Sequence, residues 1–284
     1  MVKIIDCPRD AIQGLKEFIP TNEKVEYINS LLKVGFHSID FGSFVSHKAI
    51  PQLKDTGLVA TQLDLSNTNT GLLAIVANER GAIEACMHDS IEYIGFPFSI
   101  SETFLRKNIN MSIYQAFDLL LRMNECIVKR RKKLVVHISM AFGNPYKDHY
   151  SHSLLEKWIR NLQNAGMDII ILSDTVGVGP VHEIKDTFKL CISQFPDIEF
   201  GAHLHSKPSE YRLRIEAAYE GGCRRFDGAL KGFGGCPMSG VGLVGNIATE
   251  NIIYFMDYLG EDTGIDKDML YYVLEKAARF YPHH

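Results

Sequence analysis

The sequence predicts an α/β chain that closes into a single eight-stranded barrel, and three observations carry that expectation. Eight short β-branched runs alternate with longer segments whose apolar residues recur at helical spacing, the pattern of parallel strands joined by helical crossovers. The chain has 284 residues, near the ~250 typical of such a barrel. A doubly wound nucleotide-binding sheet would place a Gly-rich phosphate loop after its first strand, and here that position holds Cys7-Pro8-Arg9-Asp10. The expected architecture is therefore a (β/α)8 TIM barrel with additional C-terminal helices.

Residues 2–6 form the first strand, and 20–34 carries the apolar stripe of a helix laid against a sheet. A strand at 38–41 leads into 54–70, part of which reads as helix before the turn Asn67-Thr68-Asn69-Thr70. Strand 72–77 precedes helix 79–87, and strand 93–98 precedes helix 113–130. Strands 134–140, 168–173 and 199–205 are followed by helices 153–165, 181–195 and 210–221. The eighth strand, 224–229, runs into a Gly-rich loop over 231–245, then into helical stretches at 248–258 and 266–280. The tail from about residue 246 to 284 is long enough for an extra helix pair beside the barrel. No Pro/Ser-rich linker divides the chain, so residues 1–284 are expected to form one domain.

Composition narrows the function. With 46% hydrophobic residues the chain can bury a sizeable core. Thirty Lys+Arg against 34 Asp+Glu leave a net charge of −4, and the one long basic run is 129–133. Nucleic acid and an anionic membrane are therefore poor candidates for the main partner. No stretch approaches the ~20 apolar residues of a membrane-spanning helix, and the N-terminus enters a strand without signal-peptide architecture. Six scattered cysteines form no CxxC pair, so a reduced, cytoplasmic setting is expected.

His203 and His205 are the sharpest local feature. Residues two apart on a strand share a face, so His-Leu-His at the end of strand seven aims both imidazoles inward where barrel active sites form. Such a pair is either a metal site in need of oxygen ligands or two hydrogen-bonded core histidines. Asp10 follows strand one, a near neighbour of strand seven on a closed barrel, and completes a His–His–Asp set. Asn246 offers a fourth, neutral oxygen or caps the helix that follows it. This donor set suits Mg²⁺ or Mn²⁺ and also accepts Zn²⁺. Arg9 can stabilise an oxyanion or form a structural salt bridge. Cys236 sits in a loop with six glycines between Gly232 and Gly245, where a thiol can serve as acid or base; the other five cysteines read as packing residues. Asp40 and Asp174 end strands two and six, positions that suggest catalysis or ligand positioning, although Asp174 equally suits an Asx-turn or helix cap.

These residues resemble the 3-hydroxy-3-methylglutaryl-CoA lyases, within a wider group of metal-dependent C–C lyases and Claisen-type synthases on barrels. The resemblance covers nearly the whole chain. It rests on Pro8-Arg9-Asp10 with Gln13, Ser43-Phe44-Val45-Ser46 with Lys48 and Pro51-Gln52, and Lys107-Asn108-Ile109-Asn110. It continues through Asp174-Thr175-Val176-Gly177-Val178-Gly179, His203-Leu204-His205, Gly234-Gly235-Cys236-Pro237 and Gly245-Asn246-Ile247-Ala248-Thr249-Glu250. The resemblance implies that Asp10, His203, His205 and Asn246 bind the divalent cation and that Arg9 stabilises an enolate. It further implies proton transfer by Cys236, a place for Asp40 and Glu250 among the catalytic groups, and Gln13, Asp174 and Thr175 on the substrate side. The implied reaction is retro-Claisen cleavage of a 3-hydroxy-3-methylglutaryl thioester to acetyl-CoA and acetoacetate.

The chain departs from the family pattern at several points. Asp40 replaces a glutamate, Ala11 replaces the glycine after Arg-Asp, and Gly14-Leu15 stands where a glutamate is usual. Ser206-Lys207-Pro208-Ser209-Glu210 replaces the acidic residue and TYGQ-like run after HxH, so either metal affinity falls or the partner of the histidines comes from elsewhere. The loop Met140-Ala141-Phe142-Gly143-Asn144-Pro145-Tyr146 lacks the usual cysteines. Metal ligands kept while surrounding positions change is what a related lyase with another acyl-CoA, or a slow enzyme, would show. The rival readings are a metal-dependent aldolase or condensing enzyme on a 2-oxo acid, and a barrel that binds ligand without catalysis. The expected partner is an acyl-CoA substrate, and a homodimer through surface helices is one assembly the arrangement allows.

Overall fold

The computed structural model describes residues 1–234 and 244–281. The parallel strands are β1 (Lys3–Asp6), β2 (Ser38–Ser43), β3 (Gly71–Ile75), β4 (Ile91–Ser99), β5 (Lys133–Ser139), β6 (Ile169–Asp174), β7 (Glu199–Ser206) and β8 (Arg225–Gly228). A two-residue β9 (Gly245–Asn246) lies antiparallel on β7. The helices are α1 (Pro8–Ile12), α2 (Thr21–Leu31), α3 (Thr56–Gln62), α4 (Glu79–Cys86), α5 (Glu102–Ile109) and α6 (Ile113–Lys129). They continue as α7 (His152–Asn164), α8 (Val181–Gln194), α9 (Tyr211–Glu220), α10 (Thr249–Tyr258) and α11 (Lys267–Phe280).

Each strand pairs with its sequence neighbour, β1 pairs with β8, and β6 with β7, so the sheet closes as the alternation predicts. Alternate residues then divide between two apolar regions. Ile4, Leu72, Phe96, Val136, Ile170 and Phe226 face outward into the layer shared with the helices. Leu73, Ile75, Tyr93, Val135, Ile169 and Ile171 fill the barrel itself. Outside, α6 shows why the sequence reads as helix: Leu119, Leu120, Met123 and Ile127 make one buried stripe, and Ser112 with Gln115 forms a capping box at its start. Trp158 of α7, 1% exposed, meets Phe98 edge-on at 5.5 Å and is among the largest contributors to that layer. Burial of a large apolar side chain contributes roughly 1.5–3 kcal/mol. Inside, Gly201 lets Ile171 and Arg225 cross the barrel: a Cβ there would lie 2.6 Å from Ile171 Cδ1 and 3.0 Å from Arg225 Cδ.

Three local features go beyond the sequence expectation. The segment after β1 is a helical turn, because Pro8 sits in its first turn, where a missing N–H costs nothing. α5 is a separate short helix held by Ser101 at its start and by Asn110 in the left-handed conformation at its end. Of the two C-terminal helices, α10 completes the barrel's own ring against β1, β8 and α9, whereas α11 is the true addition and packs on α2. Tyr27 of α2 stacks on Phe280 at 4.2 Å, and Lys276 reaches Glu26 and Ser30.

Candidate active site

The C-terminal mouth of the barrel gathers most of the predicted residues. Because Arg9 and Asp10 lie on α1, strand alternation does not govern them and both side chains reach the mouth. The Arg9 guanidinium grips Asp40 through Nε (3.0 and 3.2 Å) and Nη2 (2.6 Å). Its Nη1 donates to Asp10 Oδ1 at 3.1 Å and to Gln13 Oε1 at 2.9 Å, while Gln13 Nε2 donates back to Asp10 Oδ1 at 2.5 Å. The β2–β3 register shifts between Asp40 and Gly42, a bulge of the kind that re-aims a side chain at a barrel rim. Burial raises the Asp40 pKa, with Arg9 opposing it. Burial works against Asp10 as well, but Arg9, the two histidines and Asn246 outweigh it and hold its pKa near 2.

Asp10, His203 and His205 each bring a donor atom to within 4.8 Å of the others. β9 explains the fourth member: Asn246 is in register with His205, and its amide donates to Asp10 Oδ2 at 2.6 Å and to the Phe233 carbonyl at 2.9 Å. Burial and the facing His203 pull His205 down to about 4. At His203 burial acts the same way, but Asp227 and Asp10 reverse it and its pKa rises. Gly234 seals this corner. It has φ +87°, and a Cβ there would lie 2.7 Å from the Asp10 carbonyl oxygen.

These residues fit a divalent cation. Asp10 is ionised and His205 neutral at pH 7, the states in which both lend electron pairs to a metal. Turning the Asn246 amide would present its oxygen to the same point. Asp10, His203, His205 and Asn246 supply the nitrogen and oxygen donors that Mg²⁺ or Mn²⁺ accepts.

Asp174 ends β6 next to this set, and Thr175 follows it. Asp174 accepts from the Val178 and Gly179 N–H groups at 3.1 and 3.0 Å and from Arg214 Nη1 at 2.7 Å. Arg214 also donates to the Gly177 carbonyl at 2.9 Å. The buried pair thus fastens the 174–179 loop, in which Thr175 Oγ1 accepts from Met140 N–H at 3.3 Å. Glu250 accepts from the Lys231 N–H at 3.0 and 3.2 Å and holds the base of the Gly-rich loop. Cys236 lies outside the described residues.

Sequence reasoning missed Asp227 on β8. Its Oδ2 lies 3.5 Å from His203 Nδ1, so the carboxylate beside the histidines comes from β8 in place of position 206. The signal was present: Arg225 and Asp227 are two apart in a strand and therefore share the inward face. Arg214, two positions from Arg212 on α9, carried no comparable signal. Cys7, read as a packing residue, places its sulfur near His203 and Asp227.

The C-terminal mouth of this closed parallel barrel gathers an arginine, three carboxylates, two histidines and an amide, and the family and relatives it matches make it a carbon–carbon lyase of the barrel class. The chain belongs to the HMGL-like family, whose profile matches residues 1–276. It is 32% identical over 270 residues to a hydroxymethylglutaryl-CoA lyase of Pseudomonas mevalonii, covering 93% of this chain and 87% of that one. It is 28% identical to a 3-hydroxy-3-isohexenylglutaryl-CoA/hydroxy-methylglutaryl-CoA lyase of Pseudomonas aeruginosa, covering 95% and 89%. Among solved structures, an HMG-CoA lyase from Acinetobacter baumannii in complex with coenzyme A and 3-methylmalate superposes with a TM-score of 0.92. Sequence identity to it is 28%, covering 100% of this chain and 92% of that one. No helix among the described residues is long and apolar enough to cross a membrane.

Proposed function

We propose that this lyase cleaves 3-hydroxy-3-methylglutaryl-CoA to acetyl-CoA and acetoacetate in a divalent-metal-dependent retro-Claisen reaction. The observation that carries the reading is the convergence of ionised Asp10, neutral His205 and His203 beside the Arg9 guanidinium. Asp10, His203, His205 and Asn246 would hold the cation, which supplies Lewis-acid polarisation of the substrate's oxygens. In the reaction the 3-hydroxyl loses its proton, the C2–C3 bond breaks towards the thioester, and the resulting enolate carbon takes up a proton. Arg9, aimed by Asp40 and Gln13, faces the enolate oxygen with a fixed positive charge that needs no reorganisation. Cys236 is assigned the proton delivered to carbon. Asp174 acts through the loop it fastens, with Thr175 and Gln13 on the substrate side, and Glu250 sets the base of the loop that carries Cys236. An acyl-CoA with a larger 3-substituent is the second reading, favoured by the shortened carboxylate at Asp40 and by the longer substrate that the Pseudomonas aeruginosa relative's name gives.

The test is a coupled assay for acetyl-CoA and acetoacetate with Mg²⁺ or Mn²⁺, with and without chelator. Chelator-sensitive turnover that disappears in Asp10→Ala is the expected result. Metal-independent turnover, or full activity in Asp10→Ala, would overturn the site. Metal binding without turnover would move the substrate to the longer thioester.

A further inference from the structure

Beside the Asp10–His203–His205 set, and sharing His203 with it, lie two donors that the reaction does not use, Cys7 and Asp227. Cys7 precedes α1, is 1% exposed, and is fixed against β8 by its N–H, which donates to the Gly228 carbonyl at 2.8 Å. Asp227 occupies the inward position of β8, in register with Ile5 on β1 and His203 on β7. The segment after β1 and the neighbouring strands β8 and β7 therefore bring Cys7, Asp227 and His203 together, with one donor atom from each within 4.8 Å of the others. The Asp227 side chain is 2% exposed, and its Oδ1 has no hydrogen-bond partner among the described residues. His203 Nδ1 has none either, since its 3.5 Å approach to Asp227 Oδ2 is too long for an N–H···O bond. Buried polar atoms left this way are costly, and each calls for an occupant that would satisfy it.

We propose that Cys7 Sγ, His203 Nδ1 and the Asp227 carboxylate form a second cation site, selective for a thiophilic divalent ion such as Zn²⁺ or Cd²⁺. One sulfur, one imidazole nitrogen and one carboxylate make a zinc-type donor set, with a water as fourth ligand. The oxygen-richer set of Asp10 and Asn246 favours a harder ion. Binding forms the metal–sulfur bond and releases the Cys7 thiol proton to solvent. The two sites share His203. A neutral imidazole has one free lone pair, so bonding through Nδ1 leaves the ring proton on Nε2, the nitrogen needed on the Asp10 side. A thiophilic ion in the inner site therefore displaces the outer one and inhibits. Only this inhibitory consequence rests on the proposed reaction; the site itself does not.

Cadmium binding tests the site without any activity. Chelator-treated protein carrying Cys236→Ser, which removes the thiol assigned to proton delivery, is titrated with Cd²⁺ and followed by the sulfur-to-cadmium charge-transfer band and by ¹¹³Cd resonance. The expected result is one bound ion with a single sulfur ligand. The band should vanish when Cys7→Ser is added, or Cys7→Ala should the serine variant not fold, and affinity should fall about tenfold or more in Asp227→Asn. A band that survives loss of Cys7, or a ¹¹³Cd signal without sulfur, would overturn the site. In the otherwise native chain, Cys7→Ser should leave Mg²⁺-supported turnover unchanged and raise the inhibitory Zn²⁺ concentration about tenfold or more. Equal Zn²⁺ sensitivity in both proteins, with the cadmium result intact, would refute the shared use of His203 alone.

Discussion

The two mouths of the barrel are built from the same kinds of residue and do different things. At the N-terminal mouth, Lys3, Arg225 and Lys133 meet Glu199 and Glu92, so every carboxylate has at least one cation and the cluster closes over Tyr93. At the C-terminal mouth, Arg9 alone serves both Asp10 and Asp40, and Asp227 adds a third carboxylate beside the histidines. One end is a plug in which each carboxylate is paired. The other carries an excess of negative charge that a cation would balance. A cleft whose carboxylates outnumber their cations is a functional-site candidate with a physical rationale.

The largest effect is expected where that imbalance is sharpest. Arg9→Met removes five hydrogen bonds and leaves Asp40 buried, 2% exposed, without its partner. Breaking a buried pair in this way costs about 3–5 kcal/mol, read as a lower denaturation midpoint. Loss of an oxyanion-stabilising donor should also lower kcat by about 10²–10³-fold. Retention of kcat within about tenfold would show that Arg9 is structural, like its counterparts at the other mouth.

A second test compares two aspartates at one strand end. Asp10 faces Arg9 and is held near 2, whereas Asp6 points outward from β1 and forms no ion pair among the described residues. Asp6 accepts from the Leu230 N–H at 3.0 Å and from Thr249 Oγ1 at 2.6 Å, and its other oxygen has no hydrogen-bond partner among the described residues. Burial overrides these bonds and raises its pKa from 3.8 to about 7. The folded state therefore keeps a proton that the unfolded chain gives up near pH 4. This contribution to stability is full below pH 4 and is lost as pH rises to about 7, about 2–3 kcal/mol of it between pH 5 and 8. Asp6→Asn keeps the acceptor and removes the titration, so its advantage over the native chain should grow with pH. Parallel stability-against-pH curves would refute the assignment.

Much of this was legible in the sequence because period and spacing report it. Strand alternation gave the barrel, and His-Leu-His gave two inward imidazoles whose placement at the mouth follows from the end of β7. Their places after β1 and β8 make Asp10 and Asn246 candidate oxygen donors, with Asn246 equally a helix cap; the family resemblance implies both as ligands, and β9 supplies the register that seats Asn246 beside His205. What escaped depends on contacts between distant residues. Asp227 is one acid among 34 Asp+Glu until β7 and β8 are in register. Arg214 becomes the anchor of Asp174 only once α9 packs near the end of β6, a pairing 40 residues apart. Cys7 looks like any small apolar residue until Asp227 faces it.

The smallest expected effect closes the comparison from the other side. Lys3 pairs with Glu199 much as Arg9 pairs with Asp40, but its side chain is 37% exposed against 12% for Arg9. Water screens the pair, and Arg225 remains on Glu199 at 2.8 Å when the lysine is removed. Lys3→Met should therefore cost about 0–1 kcal/mol, and kcat should stay within about twofold because the residue lies at the opposite end of the barrel from the histidines. A cost approaching that of Arg9→Met would mean that the N-terminal plug carries charge as deeply as the active mouth does. The contrast between the mouths would then rest on partner count alone, without the difference in burial.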